Sequence, residues 1–280
     1  MTFEPKAIPF LKWIGGKRKF VPTLAPQIKT YLKDSGGKYY EPFMGGGAMA
    51  LALGLPDMQL NDVIPDLVRT YRAVRDEPVK VALLLCELRD WGTEESNYYA
   101  VRASEPDTDV EAAARMVYLN IHCFNGLYRT NKKGKFNAAY GKQADKITDA
   151  LLERIGTAAE ALEHSTIVNG DFEPAMKSAG EGDLIYVDPP YDGTYVGYSG
   201  EGFCGVSQDR LASELCEAHK RGAAFICHNS STEKVRNWFS YATMVNAGES
   251  RAVNRDGGGR GKVPCLLITN RPGLLIAHVA

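Results

Sequence analysis

The spacing of apolar positions changes twice along this chain, and the two changes divide it into three stretches. In the first, "KYYEPFMGGGAMALAL" (38–53) predicts a short strand at Tyr39-Tyr40, a glycine turn at 45–47 and a helix from Ala48 to Leu53. "MQLNDVIPDL" (58–67) predicts a second strand ending at Asn61-Asp62. From Asp66 to about Leu162 the period becomes helical: Val68, Tyr71 and Val74, then Val79, Leu83 and Cys86, then Ala113, Val117 and Leu119. Inside that stretch "LYRTNKKGKFNAAYG" (127–141) breaks the period and predicts a hairpin or ordered loop with a Lys-Lys-Gly tip.

Strands and helices then alternate again. "TIVNGDF", "DLIYVD", a helix over Gln208 to Lys220, "AAFICHN", a helix near Glu233 to Phe239 and "CLLITN" follow in order. Alternation of this kind predicts an α/β fold with a mostly parallel sheet covered on both faces. The helical stretch has apolar periodicity of its own and reads as an insertion. The expected division is therefore 1–65 with 151–280 as one domain and 66–150 as another.

Composition narrows the picture only slightly. The chain has 280 residues, 44% of them apolar and 24% charged, with a net charge of −1, so no global positive field advertises a polyanionic partner. The six cysteines, at 86, 123, 204, 216, 227 and 265, are scattered without a C-x-x-C pair or clustering with histidine. Reduced thiols and no metal are expected, and no apolar run spans a bilayer or resembles an N-terminal signal. The expected setting is cytoplasmic.

Candidate chemistry gathers where predicted strands end. The glycine turn is neither G-x-G-x-x-G nor a phosphate loop, which leaves a tight helix–strand turn or a close-fitting ligand cradle. Asp62 ends the second strand, where nucleotide-type folds hold ribose hydroxyls; capping the following helix is the alternative. Asp171 with Phe172 follows a third strand, as a turn aspartate or as an acceptor for an exocyclic amine. "IYVDPPYDGTY" (185–195) ends a strand on Asp188, and Pro189-Pro190 prevents its continuation. Together these describe a pocket for an adenosine-containing ligand without a pyrophosphate, and S-adenosylmethionine fits. Between Arg129 and Lys146 six basic residues face one acid, Asp145, as a solvated loop or a DNA contact.

The ordered set "KWIGGK" (12–17), "EPFMGGG" (41–47), "ND" (61–62), "NGLYRTNKKGKFN" (125–137) and "DPPY" (188–191) resembles the Dam-type, D12 class DNA adenine-N6 methyltransferases. The resemblance covers nearly the whole chain. It implies a Rossmann-like class I S-adenosylmethionine-dependent methyltransferase sheet with an inserted, mostly helical target-recognition domain. It implies cofactor contacts from Trp13, Lys17, Glu41, Phe43, Gly45, Gly47, Asp62, Asp171, Phe172 and Asp188. Asp188, Pro189 and Tyr191 would form the catalytic corner, with S-adenosylhomocysteine as product and no metal. Asp188 and the Pro189 carbonyl would accept the two N6–H bonds, and Tyr191 would stack on the purine.

By the same resemblance Lys12, Phe124, Asn125, Leu127, Arg129, Lys132, Lys133 and Asn137 would contact double-stranded DNA, with Arg129 reading a guanine. Arg255, Arg260 and Lys262 close over DNA or stay in solvent. The expected site is GATC or a close relative, with the adenine flipped out. A bacterial or phage-infected cell, association with the nucleoid and a monomer or weak dimer on DNA complete the expectation. N4 of cytosine and a protein glutamine amide are competing substrates, and an inactive DNA-binding relative is a further alternative. The chain departs from the family at Pro264-Cys265, where members often carry an acid.

Overall fold

The computed structural model of the chain describes residues 3–92, 94–142, 147–191, 203, 205–251 and 262–275. Its strands are β1 (Tyr39–Glu41), β2 (Gln59–Asp62), β3 (Thr166–Asn169), β4 (Leu184–Val187), β5 (Ala224–Ser230), β6 (Thr243–Arg251) and β7 (Lys262–Thr269). They form one sheet in the order β3-β2-β1-β4-β5-β7-β6. The first five strands are parallel, with Tyr40 paired to Gln59 on one side and to Ile185 on the other. β7 lies between β5 and β6, antiparallel to both. This mixed α/β sheet is consistent with the class I methyltransferase fold expected above.

The local reasons are legible. β4 is an unbroken apolar run buried at all four positions, as a central strand covered on both faces must be. Its side chains alternate: Leu184 and Tyr186 pack into one hydrophobic cluster, Ile185 and Val187 into the other. The helices are α1 (Val21–Ser35), α2 (Ala48–Leu53), α3 (Pro65–Asp76), α4 (Pro78–Trp91), α5 (Glu95–Ala103), α6 (Asp109–His122), α7 (Asp149–Leu162), α8 (Phe172–Lys177), α9 (Gly205–Lys220) and α10 (Glu233–Trp238). α6 opens on a capping box between Thr108 and Glu111, which satisfies two N–H groups the helix cannot. The larger cluster runs from Ile28 and Leu60 through Tyr71, Tyr98, Val117 and Ile155, so α3 to α7 share one core with a face of the sheet.

Three features differ from the sequence expectation. α4 forms, but with the opposite face inward: Val81 and Leu85 are buried, whereas Val79 and Leu83 are 70% and 59% exposed. α1 was not anticipated, because Pro22 and Pro26 disguise it; Pro22 sits in the first turn and Pro26 sacrifices one hydrogen bond. β6 was missed because "TMVNAGESR" has little apolar alternation; it is an edge strand with a register shift between Asn246 and Glu249. Among the described residues no helix is long and apolar enough to cross a membrane.

Candidate active site

Three carboxyl groups stand at the carboxyl ends of adjacent strands: Glu41 on β1, Asp62 on β2 and Asp188 directly after β4. Asn61 on β2 ties the ends of its neighbours β1 and β3 together, donating through its amide to the carbonyls of Pro42 at 3.0 Å and Gly170 at 3.1 Å. The glycine turn closes above them. Gly45 and Gly47 have φ of 49° and 63°, a region that favours glycine. A Cβ on Gly46 would lie 2.7 Å from Cβ of Trp13, so the indole packs directly on the turn. The Gly45 N–H donates to Asp62 Oδ2 at 2.8 Å and the Ile64 N–H to Oδ1 at 3.0 Å. With the Val63 N–H also directed at this carboxyl, acceptor capacity remains for one further donor such as a hydroxyl.

Phe43, two residues beyond β1, stacks on Phe172 with ring centroids 5.1 Å apart, and Phe203 meets Phe43 edge-on at 5.6 Å. Asp171 caps α8 through the Glu173 N–H at 2.9 Å. It also receives Arg210, whose guanidinium lies 5.0 Å from the Phe172 ring centre.

At the proline corner Lys17 Nζ lies 2.8 Å from Asp188 Oδ1 and 5.1 Å from the Tyr191 ring centre. The same ammonium donates to the Gly15 carbonyl at 2.6 Å. The Pro190 carbonyl accepts from Gln208 Nε2 at 2.6 Å, and Gln208 Oε1 in turn accepts from Asn229 Nδ2 at 3.1 Å. Both amides are buried, so the corner is fixed from below as well as by its prolines. The Pro189 carbonyl has no donor among the described residues. The Cys265 thiol donates to the Tyr191 hydroxyl at 3.2 Å.

Burial dominates the electrostatics. It pushes the Glu41 carboxyl up to about 8, against the Tyr39 hydroxyl that donates to it at 2.8 Å, and the charges of Asp188 and Asp62 add to the rise. Burial also raises Asp62, opposed by the N–H groups of Gly45, Ile64 and Val63. Asp188 is raised by burial and pulled back by Lys17. Three crowded carboxyls with one ammonium among them make a site that favours an added positive charge. Among the described residues no cluster of His, Cys, Asp or Glu has the makings of a metal site.

The basic stretch forms a hairpin. Thr130 bridges Phe136, and Asn131 closes the tip by accepting from the N–H groups of Lys133 and Lys135. Lys132 and Lys133 are exposed at that tip, and Phe124 is 57% exposed at its base. Arg129 and Asn137 bond each other, Nε to Oδ1 at 2.8 Å. Asn125 takes a left-handed φ of 55° in a short 3-10 turn over Phe124–Gly126, and Leu127 follows half-buried. Lys12 is brought alongside: Asn120 accepts its N–H and donates to its carbonyl, each at 2.8 Å. Tyr128 links the hairpin to Trp13, with centroids 5.7 Å apart, and to Asp66 at 2.9 Å. Asp145, Lys146, Arg255 and Arg260, and the side chain of Lys262, lie outside the described residues.

The expected residues thus fall into two groups, around the strand ends and around the hairpin, with "KWIGGK" touching both. Sequence reasoning missed Asn61, Phe203, Gln208, Asn229 and the partner of Tyr191. One signal for the amide pair was available: the polar run His228-Asn229-Ser230 at the end of an otherwise apolar strand.

Comparison with known proteins places the chain in a family. Over 276 residues the chain is 33% identical to the type II methyltransferase M1.LlaDCHI of Lactococcus lactis subsp. cremoris, covering 94% of this chain and 95% of that one. It is 29% identical over 278 residues to the DNA adenine methylase of Vibrio cholerae serotype O1, covering 95% and 96%. It is 38% identical over 234 residues to the DNA N-6-adenine-methyltransferase of Escherichia phage P1, covering 80% of this chain but spanning only 30% of that protein. The family model for D12 class N6 adenine-specific DNA methyltransferases matches residues 13–253, and the chain belongs to that family.

Proposed function

We propose that this adenine-specific DNA methyltransferase uses S-adenosylmethionine to methylate N6 of an adenine flipped out of duplex DNA, in GATC or a related short site. The observation that carries the reading is the pairing of two fixed acceptors, the Asp188 carboxylate and the Pro189 carbonyl, beside a glycine turn and two further buried carboxyls.

The residues present suit the cofactor. The turn leaves no room for side chains, Asp62 retains acceptor capacity, and Phe43 with Phe172 offers an aromatic surface. When bound, S-adenosylmethionine supplies a methyl group activated by a sulfonium charge. Trp13, Lys17, Glu41, Phe43, Gly45, Gly47, Asp62, Asp171, Phe172 and Asp188 are the proposed contacts, of which Asp171 acts through the cap and ion pair that hold Phe172.

The amine of adenine is a weak nucleophile because its lone pair is delocalised into the ring. Asp188 Oδ1 and the Pro189 carbonyl accept its two N–H bonds and turn the lone pair out of the ring plane. The proton lost from N6 passes along the hydrogen bond to Asp188. Neither acceptor needs to move, because Pro189 and Pro190 restrict the backbone and Gln208 holds the Pro190 carbonyl. Tyr191 stacks on the extruded purine and offsets part of the few kcal/mol that unstacking costs.

Residues 66–150 serve as the target-recognition segment inserted between 1–65 and 151–280. Lys132 and Lys133 contact phosphates, Phe124, Asn125 and Leu127 approach the base stack, and Arg129 reads a guanine once it leaves Asn137. Lys12 reaches the DNA from the opposite side of the same turn.

The test is direct. The chain is incubated with methyl-labelled S-adenosylmethionine and duplexes with or without GATC, and the nucleosides are analysed by mass spectrometry. N6-methyladenine confined to the GATC duplex is expected. N4-methylcytosine, or no transfer to any duplex, would overturn the reading.

A further inference from the structure

A recess with a volume of about 590 Å³ lies beside Trp13 and Gly46, between the N-terminal loop, the turn after α6 and the start of α7. Its lining is apolar except for Lys12, Arg18, Asn125, Thr148 and Arg154, and no Asp or Glu among the described residues contributes to it. Arg18 and Arg154 therefore share a recess to which no described carboxylate contributes. Elsewhere Arg69, Arg75, Arg89 and Arg210 each pair with a carboxylate, and Arg72, Arg115 and Arg221 each give two hydrogen bonds to backbone carbonyls. Arg18 donates only to the Pro9 carbonyl at 3.4 Å, and the Arg154 guanidinium has no hydrogen-bond or ion-pair partner among the described residues. Both guanidiniums line the one recess, and Arg18 is held below its ordinary range, first by burial and then by the charge of Arg154.

A guanidinium presents five N–H donors in a planar fork that matches the oxygens of a phosphate. Two such forks in one recess, with no described carboxylate in its lining, suit a phosphodiester, whose charge offsets theirs. The place supplies the source. Lys12 and Asn125 line the recess and also belong to the proposed DNA face, so a strand crossing that face passes its mouth. We infer that Arg18 and Arg154 form a subsite for a backbone phosphate of the bound duplex, outside the base pairs that are read. The inference rests on the reading of DNA as substrate and extends the footprint beyond the hairpin.

A contact of this kind positions without specifying, and its signature is a salt dependence. Binding of a GATC duplex and of a scrambled duplex is measured by anisotropy over a range of sodium chloride for the wild type, Arg18→Gln, Arg154→Gln and the double variant. The double variant is expected to lower the slope of log affinity against log salt by about 1, and to weaken binding roughly 10-fold at physiological salt. The loss should be equal on both duplexes, with thermal stability and S-adenosylmethionine affinity unchanged. A wild-type slope in the double variant, or a loss confined to the GATC duplex, overturns the subsite. Calorimetry with inorganic phosphate separates the other source: arginine-dependent phosphate binding with an unaltered DNA slope assigns the recess to a free anion and also overturns the inference. Failure of the wild type to bind any duplex would instead remove the functional reading on which it rests.

Discussion

Glu41 shows most sharply what burial does to a single side chain here. With its carboxyl pushed up to about 8 it is mostly protonated at neutral pH, while Asp188 and Asp62 crowd it with negative charge. If the cofactor binds beside it as proposed, its positive charge reverses that balance and binding expels a proton. Calorimetry of S-adenosylmethionine binding near neutral pH, in buffers of different ionisation enthalpy, should report net proton release that disappears in Glu41→Gln. The same shift sets a stability trend. A carboxyl raised above its unfolded value near 4.5 stabilises the fold fully below that value, and the contribution is lost as pH rises towards 8. Chemical denaturation of the unliganded chain across that window should therefore show a decline that Glu41→Gln flattens. At Asp188 the expectation is chemical: Asp188→Ala should cost at least about 100-fold in turnover while duplex affinity survives. Residual turnover near the wild-type rate would contradict its assignment.

At the scale of elements, the corner after β4 depends on two amides contributed by its neighbours, Gln208 on α9 and Asn229 on β5. Asn229→Ala leaves a buried amide oxygen without its donor and should destabilise the chain by about 1–3 kcal/mol in denaturant titration. Turnover should fall more than substrate affinity, because the carbonyl that Gln208 steadies adjoins the acceptor pair. This support was not legible beforehand: the two residues are 21 positions apart, and only packing of α9 on β5 joins them. Local signals fared better. The glycine turn and the "DPPY" corner could be read directly, because proline and glycine restrict or free φ whatever surrounds them. The hairpin tip was readable for the same reason, through Asn131 and Gly134. Helical periodicity told that α4 exists but not which way it faces, since Val79-Leu83 and Val81-Leu85 are both spaced four apart. Tertiary packing against α6 and α7 chose the second pair. β6 was invisible because an edge strand need bury only one side, and its other requirement, a partner in β7, is again nonlocal.

Over the whole molecule, the helical segment and the sheet share one continuous apolar cluster, running from Leu60 beneath the strands to Tyr98 and Val117 among the helices. Thermal unfolding followed by far-ultraviolet circular dichroism and by tryptophan fluorescence should therefore give coincident transitions. Two separated transitions would show that 66–150 is stable by itself. The shared core also means that "KWIGGK", lying over the glycine turn and clamped to α6 by Asn120, moves with both parts.

Within that short segment Lys17 has a consequence for how a base gains entry. Asp188 is not a bare carboxylate: the Lys17 ammonium sits on it, near the face of Tyr191. On the proposed reading of this corner, an arriving adenine trades one nitrogen donor for another instead of stripping water from an acid. Admission becomes a displacement, in which a group without an amine to offer has nothing with which to evict the resident lysine.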